Sequence, residues 1–100
     1  MAGFVQIMEF DTSKIDEVDA LSRRLQAERG ADFLVTKATI TEDRDRKGHY
    51  YVIVEFPSYE DAMNNSDDPV TTRYAEELAA LLDGPPVFRN LDVVSVMDVS

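Results

Sequence analysis

From His49 to Tyr59 the chain reads HYYVIVEFPSY, and both parities of the stretch are apolar. Tyr50, Val52, Val54 and Phe56 fall on one side of a strand; Tyr51 and Ile53 fall on the other, between His49 and Glu55. A strand with one wet face alternates apolar and polar residues, so this pattern predicts a strand with two faces to bury. Phe4–Phe10 (FVQIMEF) and Leu91–Val99 (LDVVSVMDV) share that character and predict the first and fourth strands. Phe33–Thr41 (FLVTKATIT) predicts the second, with Lys37 marking it as an edge strand guarded against stray pairing. The polar run Glu42–Gly48 joins the second and third strands as a hairpin.

Helical spacing fills the gaps. Ile15, Val18, Leu21 and Leu25 form one apolar stripe. Ser13 and Asp16 stand at capping-box spacing before it, and Gly30 is placed to end it. Pro57 stops the third strand, and Ser58 with Asp61 predicts a cap for a short helix through Ala62 and Met63. Asn64–Asp68 (NNSDD) predicts a break. Asp68-Pro69 then restarts a helix with the stripe Val70, Tyr74, Leu78, Leu81 and Leu82, ended by Gly84-Pro85-Pro86.

The order βαββαβ predicts an α+β fold, a ferredoxin-like plait forming a single domain over residues 1–100. Its four-stranded antiparallel sheet has strands 1 and 3 in the centre and two helices on one face. The apolar set Tyr50, Val52, Val54 and Phe56 is expected beneath the helices, with Val5, Ile7, Leu34, Ala38, Ile40, Val94 and Val96 in the same layer. The opposite face is then expected to carry Phe4, Gln6, Met8 and Phe10; His49, Tyr51, Ile53 and Glu55; and Val93, Ser95 and Met97. Such a face spans roughly 300 Å² and has no element left to cover it. A second copy, a ligand or a nucleic acid must do so, and a homodimer closed through this face into an α+β barrel is the expectation.

Composition narrows the partners. Among 100 residues, 44% are hydrophobic and 30% charged, with a net charge of −10. That charge opposes phosphate backbones and anionic membranes, so neither a nucleic acid nor a membrane is the expected partner. Residues 60–83 carry seven acids against the single base Arg73, as expected of a solvated helix face. Cysteine is absent, which excludes disulfides and thiolate chemistry. The opening MAGFVQIMEF reads as a strand rather than a signal peptide, so the cytoplasm is the expected compartment.

The length, the layout and the strand–helix junction VIVEFPSYEDAM resemble the dimeric α+β barrel superfamily, which includes antibiotic-biosynthesis monooxygenase-like, stress-responsive barrel and small polyketide-cyclase proteins. The resemblance implies two plaits packed sheet to sheet around a cavity for a small apolar, aromatic or polyketide-like ligand. It also implies cofactor-independent oxygenation or cyclisation if the protein is an enzyme, and a non-catalytic ligand-binding or structural dimer otherwise. No cofactor is expected. The chain has no Trp and one His, so the resemblance brings no complete catalytic set. A second likeness, of Lys47–Val54 (KGHYYVIV) to the third-strand signature of RNA-recognition motifs, would make Phe4, His49 and Tyr51 a stacking platform; the acidic balance argues against it.

His49, the only imidazole, is the candidate general base, and Tyr51, about 6.6 Å further along the strand, is the candidate partner for a substrate oxygen. Phe4, Gln6, Met8, Ile53, Ser95 and Met97 are the candidate ligand-lining residues, and Asn64–Asp68 with Arg73 and Tyr74 the candidate lid. Arg73 is expected to pair with Glu76 or Glu77. Asp43, Asp45, Lys47 and Gly48 mimic the start of a calcium loop, but Lys47 and the hairpin context exclude one, and no metal is expected.

Overall fold

A computed structural model describes residues 3–99. The elements run β1 (Phe4–Asp11), α1 (Ile15–Arg29), a 3-10 turn (Gly30–Asp32), β2 (Lys37–Glu42), β3 (His49–Phe56), α2 (Tyr59–Asp67), α3 (Pro69–Ala79) and β4 (Val87–Asp92). The sheet is antiparallel, ordered β2-β3-β1-β4. The α+β ferredoxin-like plait is therefore present, with strands 1 and 3 central and Lys37 on an edge strand.

Register settles which side of each strand faces the helices. Met8 pairs with Val52, Gln6 with Val54, Phe10 with Tyr50 and Phe4 with Phe56. Directly paired residues share a face, so Phe4, Gln6, Met8 and Phe10 lie with Tyr50, Val52, Val54 and Phe56. This whole set lies beneath the helices: Met8, Phe10 and Val52 pack with Val18, Leu21 and Leu78, while Phe4 and Phe56 pack with Ala62. The expected assignment of β1 is thus reversed. Val5 and Ile7 point to the open side with Glu9 and Asp11, opposite Glu55, Ile53, Tyr51 and His49. The charged positions carried the answer, because two carboxylates on one parity of β1 cannot go under an apolar helix layer without partners.

The fourth strand is also displaced. Val87–Asp92 pairs with β1, and the last ladder contact is Val93 N–H to Gly3 O at 2.9 Å. Val94 and Val96, expected under the helices, lie beyond the end of β1 and are almost fully exposed. The sequence run Leu91–Val99 is more β-like than VFRNLD, but tertiary pairing chose the segment that lies alongside β1.

Helix ends follow local chemistry. Thr12, not Ser13, serves the start of α1: its Oγ1 accepts from Lys14 N–H at 3.0 Å and donates to Leu81 O at 2.6 Å, tying β1 to the end of α3. Ser58 Oγ accepts from Asp61 N–H, and Asp68 Oδ1 accepts from Val70 N–H with Pro69 at the first helical position. The expected break at Asn64–Asp68 shrinks to the single corner at Asp68, because α2 runs on through Asn64, Asn65 and Ser66. In the hairpin loop, Asp43 Oδ1 accepts from Asp45 N–H and Gly48 adopts φ +83°, which explains the calcium-like spacing as turn chemistry. No helix of the described residues is long and apolar enough to cross a membrane.

Candidate functional site

The helices do not seal the sheet. Between the inner sheet face and α1, α2 and α3 lies a cleft of about 900 Å³. Met8, Val52, Val54, Phe56 and Phe88 line its sheet side; Leu25, Phe33, Leu78 and Leu82 are among the apolar residues that close over it. It persists because β2 and β4 contribute small or polar inner residues, Ala38 and Asn90, at the row shared with Gln6 and Val54.

Polar groups are interspersed with the apolar ones: amides and hydroxyls are the most numerous, and Asp19, Arg23 and Lys37 are the charged residues of the lining. Gln6 Nε2 donates to Asn90 Oδ1 at 3.0 Å across the β1–β4 pair. An amide carries two N–H donors and a carbonyl, so this bond leaves donors and an acceptor on the pair for a ligand. Asn65 on α2 is buried, and its Oδ1 finds no hydrogen-bond partner. A buried, unpaired amide oxygen is costly, and such atoms mark places where something else completes the bonding. Ser22 and the Tyr74 hydroxyl sit 3.0 Å apart, bridging α1 and α3 over the cleft. Burial raises the Tyr74 phenol above its ordinary value, so it stays a neutral donor.

The corner between α2 and α3 is held by Arg29. Its side chain, 9% exposed, reaches Asp68 Oδ2 at 3.3 Å, Thr71 Oγ1 at 3.4 Å and Asp32 O at 2.7 Å. One enclosed cation thus joins the end of α1, the cap of α3 and the turn that leads into β2, fixing the wall that carries Asn65. Arg73 pairs with Glu28 of α1, not with Glu76 or Glu77 on its own helix.

The sequence-derived residues divide between two faces. Gln6 and Met8 line the cleft, and Phe4 lies buried at the Phe56–Ala62 end of the same layer. Ile53 lies on the open face, and Ser95 and Met97 lie in the segment beyond β4. His49 and Tyr51 are also on the open face, away from the cleft. His49 is 5% exposed; its Nδ1 is 2.8 Å from Asp11 Oδ1 and its Nε2 is 2.7 Å from Glu9 Oε2. The hydrogen bonds from Asp11 and then Glu9 raise the imidazole above its ordinary value, and the same bonds from His49 lower both carboxyls. Both ring nitrogens are engaged by acceptors, which is the pattern of an imidazolium held between two carboxylates. Tyr51 meets the imidazole edge to face at 5.3 Å, and burial raises its phenol. Phe4 and His49 emerge on opposite sides of the sheet, so the three-residue stacking platform is not assembled. Asn90 and Ser22 went unnoticed in the sequence; Asn65 is marked there only as part of the candidate lid Asn64–Asp68, and it lies instead inside α2 as a buried residue.

The fold is shared with antibiotic biosynthesis monooxygenase-like proteins. The chain is similar to a mutant form of SnoaB from Streptomyces nogalater, a cofactor-independent oxygenase: 14% identity, TM-score 0.78, covering 95% of this chain and 96% of that one. It is similar to an antibiotic biosynthesis monooxygenase at 20% identity and TM-score 0.69, covering 92% and 99%. Rv0793 of Mycobacterium tuberculosis matches at 16% identity and TM-score 0.71, covering 98% and 99%. No sequence-family profile matches the chain. No curated protein matches it by sequence either.

Proposed function

We propose that this protein binds a small, flat, largely apolar molecule of the aromatic or polyketide class in the helix–sheet cleft. There it acts as a cofactor-independent monooxygenase. The observation that carries this reading is the cleft itself: about 900 Å³, with an apolar band of Met8, Val52, Val54, Phe56, Leu25, Leu78 and Leu82 and the amide pair Gln6–Asn90 held at a fixed point on its floor. That is the usual make-up of a small-molecule site, where apolar walls supply affinity and sparse polar groups set orientation. The likeness in fold to SnoaB, described as a cofactor-independent oxygenase, supports the choice of reaction class.

In such a reaction the substrate supplies the electrons. A phenol or enol loses its proton, the adjacent ring carbon attacks dioxygen, and the C–O–O adduct collapses to a carbonyl with loss of water. A CH₂ group and O₂ become C=O and H₂O. The protein's task is to stabilise the anion on the substrate oxygen. Amide N–H donors of Asn90, Gln6 and Asn65 suit that task.

The protein is further read as a homodimer packed through the open sheet face. The uncovered band Val5, Ile7, Ile53 and Leu91 supports this.

Oxygen consumption with a panel of anthrone-like and phenolic compounds tests the activity. The expected result is one O₂ per ketone or quinone formed without added flavin or metal, abolished by Ala38→Trp, which fills the cleft. Saturable binding with no oxygen uptake across the panel would overturn the monooxygenase. It would establish the second reading, a binding module without turnover. That reading is favoured by one observation: no His or Trp is among the cleft's lining residues.

A further inference from the structure

A single row of the inner sheet face holds both amides of the cleft floor. Register places Ala38, Val54, Gln6 and Asn90 side by side across β2, β3, β1 and β4. The next row is apolar throughout: Ile40, Val52, Met8 and Phe88. Gln6 and Asn90 therefore stand together at the β4 end of their row, and Val54 and Ala38 leave a low apolar surface beside them. Two strand spacings, about 10 Å, separate Gln6 from Ala38, which is room for two fused rings.

The amide pair is half satisfied. Gln6 Nε2 donates to Asn90 Oδ1 at 3.0 Å. Among the described residues the reciprocal bond, Asn90 Nδ2 to Gln6 Oε1, is not made. One N–H donor and one carbonyl acceptor thus stay open next to each other. Turning both amides over exchanges the roles of the two residues and leaves the same complement open.

A ligand that completes the pair must offer an acceptor and a donor along one edge. A carboxylate offers acceptors alone. The cations that line the cleft, Arg23 and Lys37, belong to α1 and β2, and β2 is the sheet edge opposite β4. A hydroxyl beside a ketone offers both groups but turns its O–H onto its own carbonyl. A lactam cannot do so: its N–H and C=O point outward side by side, and both remain for the protein.

We propose that the Gln6–Asn90 pair selects a neutral aromatic lactam. Asn90 Nδ2 donates to the lactam carbonyl, Gln6 Oε1 accepts the lactam N–H, and the fused rings lie over Val54 and Ala38. This assignment deepens the small-molecule reading of the cleft and rests on it. The β1–β4 ladder fixes the spacing of the two amides, so the pair acts as a gauge for the edge it accepts.

Equilibrium binding of carbostyril and its N-methyl derivative, of a flavonol and its O-methyl ether, and of naphthalene tests the assignment. The proteins are the parent chain, Gln6→Leu/Asn90→Leu and Asn90→Asp. Asn90→Asp keeps the side-chain shape at an exposed position and removes the donor, so it reports even where the double variant fails to fold. The parent is expected to bind carbostyril at least about tenfold tighter than the N-methyl derivative, the size of one hydrogen bond made well. In both variants that ratio should fall to near unity, with naphthalene binding unchanged. If no probe binds, the cleft reading and the lactam assignment fall together. If naphthalene binds but carbostyril and its N-methyl derivative bind equally, the lactam assignment falls alone. It falls alone too if the ratio persists in Asn90→Asp, or if methylation penalises the flavonol more than carbostyril. No step reads oxygen uptake, so the monooxygenase can fail while the lactam assignment stands.

Discussion

His49 and Glu9 face each other across the open side of the sheet, Nε2 to Oε2 at 2.7 Å, with Asp11 taking the other ring nitrogen at 2.8 Å. Arg46 lies 3.5 Å from Asp11, and Arg89 lies 3.5 Å from Glu9. The cluster pins the first residue of β3 to the end of β1, beside the backbone bond from Thr12 N–H to Gly48 O.

This cluster gives stability a defined pH dependence. His49 is raised above 6.5, so its contribution is complete below that value and is lost as pH rises through the higher folded value. Glu9 and Asp11 are lowered from 4.5 and 3.8, so theirs is complete above those values and is lost as pH falls through the lower folded ones. Thermal unfolding is expected to show greatest stability between the ordinary carboxylate and imidazole values, with a decline as pH rises above 6.5 and through the raised folded value of His49. In His49→Gln the alkaline decline should vanish; a decline of the same size in that variant would remove His49 as its source.

Arg29 carries a different kind of load. It is the enclosed cation at the α2–α3 corner, and Asp68 is both its ion partner and the cap of α3. Arg29→Met should cost about 2 kcal/mol in urea unfolding, less than a fully buried pair would because Asp68 is 31% exposed. Asp68→Ala should cost at least as much, since it removes the cap as well. Additive losses in the double variant would show that the two residues do not act together.

Val18 on α1 is the most enclosed large side chain among the described residues, packed with Met8, Phe10 and Leu21. Val18→Ala should lower stability by about 2 kcal/mol through lost burial and a small cavity. Val18→Thr, of nearly the same shape, should cost as much or more because its hydroxyl would be buried among apolar groups. Denaturant midpoints at constant m-value would measure both.

Asn65 separates binding from folding. Its Oδ1 is already unpaired, so Asn65→Leu should leave stability within about 0.5 kcal/mol of the parent or improve it. The same change should weaken binding of a hydroxylated aromatic ligand about tenfold by calorimetry. A variant that unfolds while its residual folded fraction binds normally would make Asn65 a scaffold residue instead.

The fold was legible in the sequence because its signals are local. Short runs apolar on both parities named β1 and β3, Ser58 and Asp68-Pro69 placed two helix starts, and Lys37 marked an edge. What was hidden depends on pairing at a distance. β1 is apolar on both parities, so size alone did not distinguish Val5 and Ile7 from Met8 and Phe10; only Glu9 and Asp11, meeting His49 across the sheet, break the tie. Residues 94–99 have stronger β-propensity than Val87–Asp92, but β1 begins at Phe4 and leaves them nothing to pair with in their own subunit. The cleft escaped notice because it is a gap between elements. Gln6 and Asn90 are 84 residues apart and become a pair only through the β1–β4 register.

Because successive residues of β1 serve opposite sides, Met8 toward the cleft and Glu9 toward the charged cluster, this strand has a reading frame. Point substitutions on either side can vary ligand chemistry or surface chemistry without trespassing on the other. A single inserted or deleted residue near Ile7 would instead turn a carboxylate inward and a phenylalanine outward, scrambling both at one stroke. Diversification at this strand must therefore proceed by replacement and not by change of length.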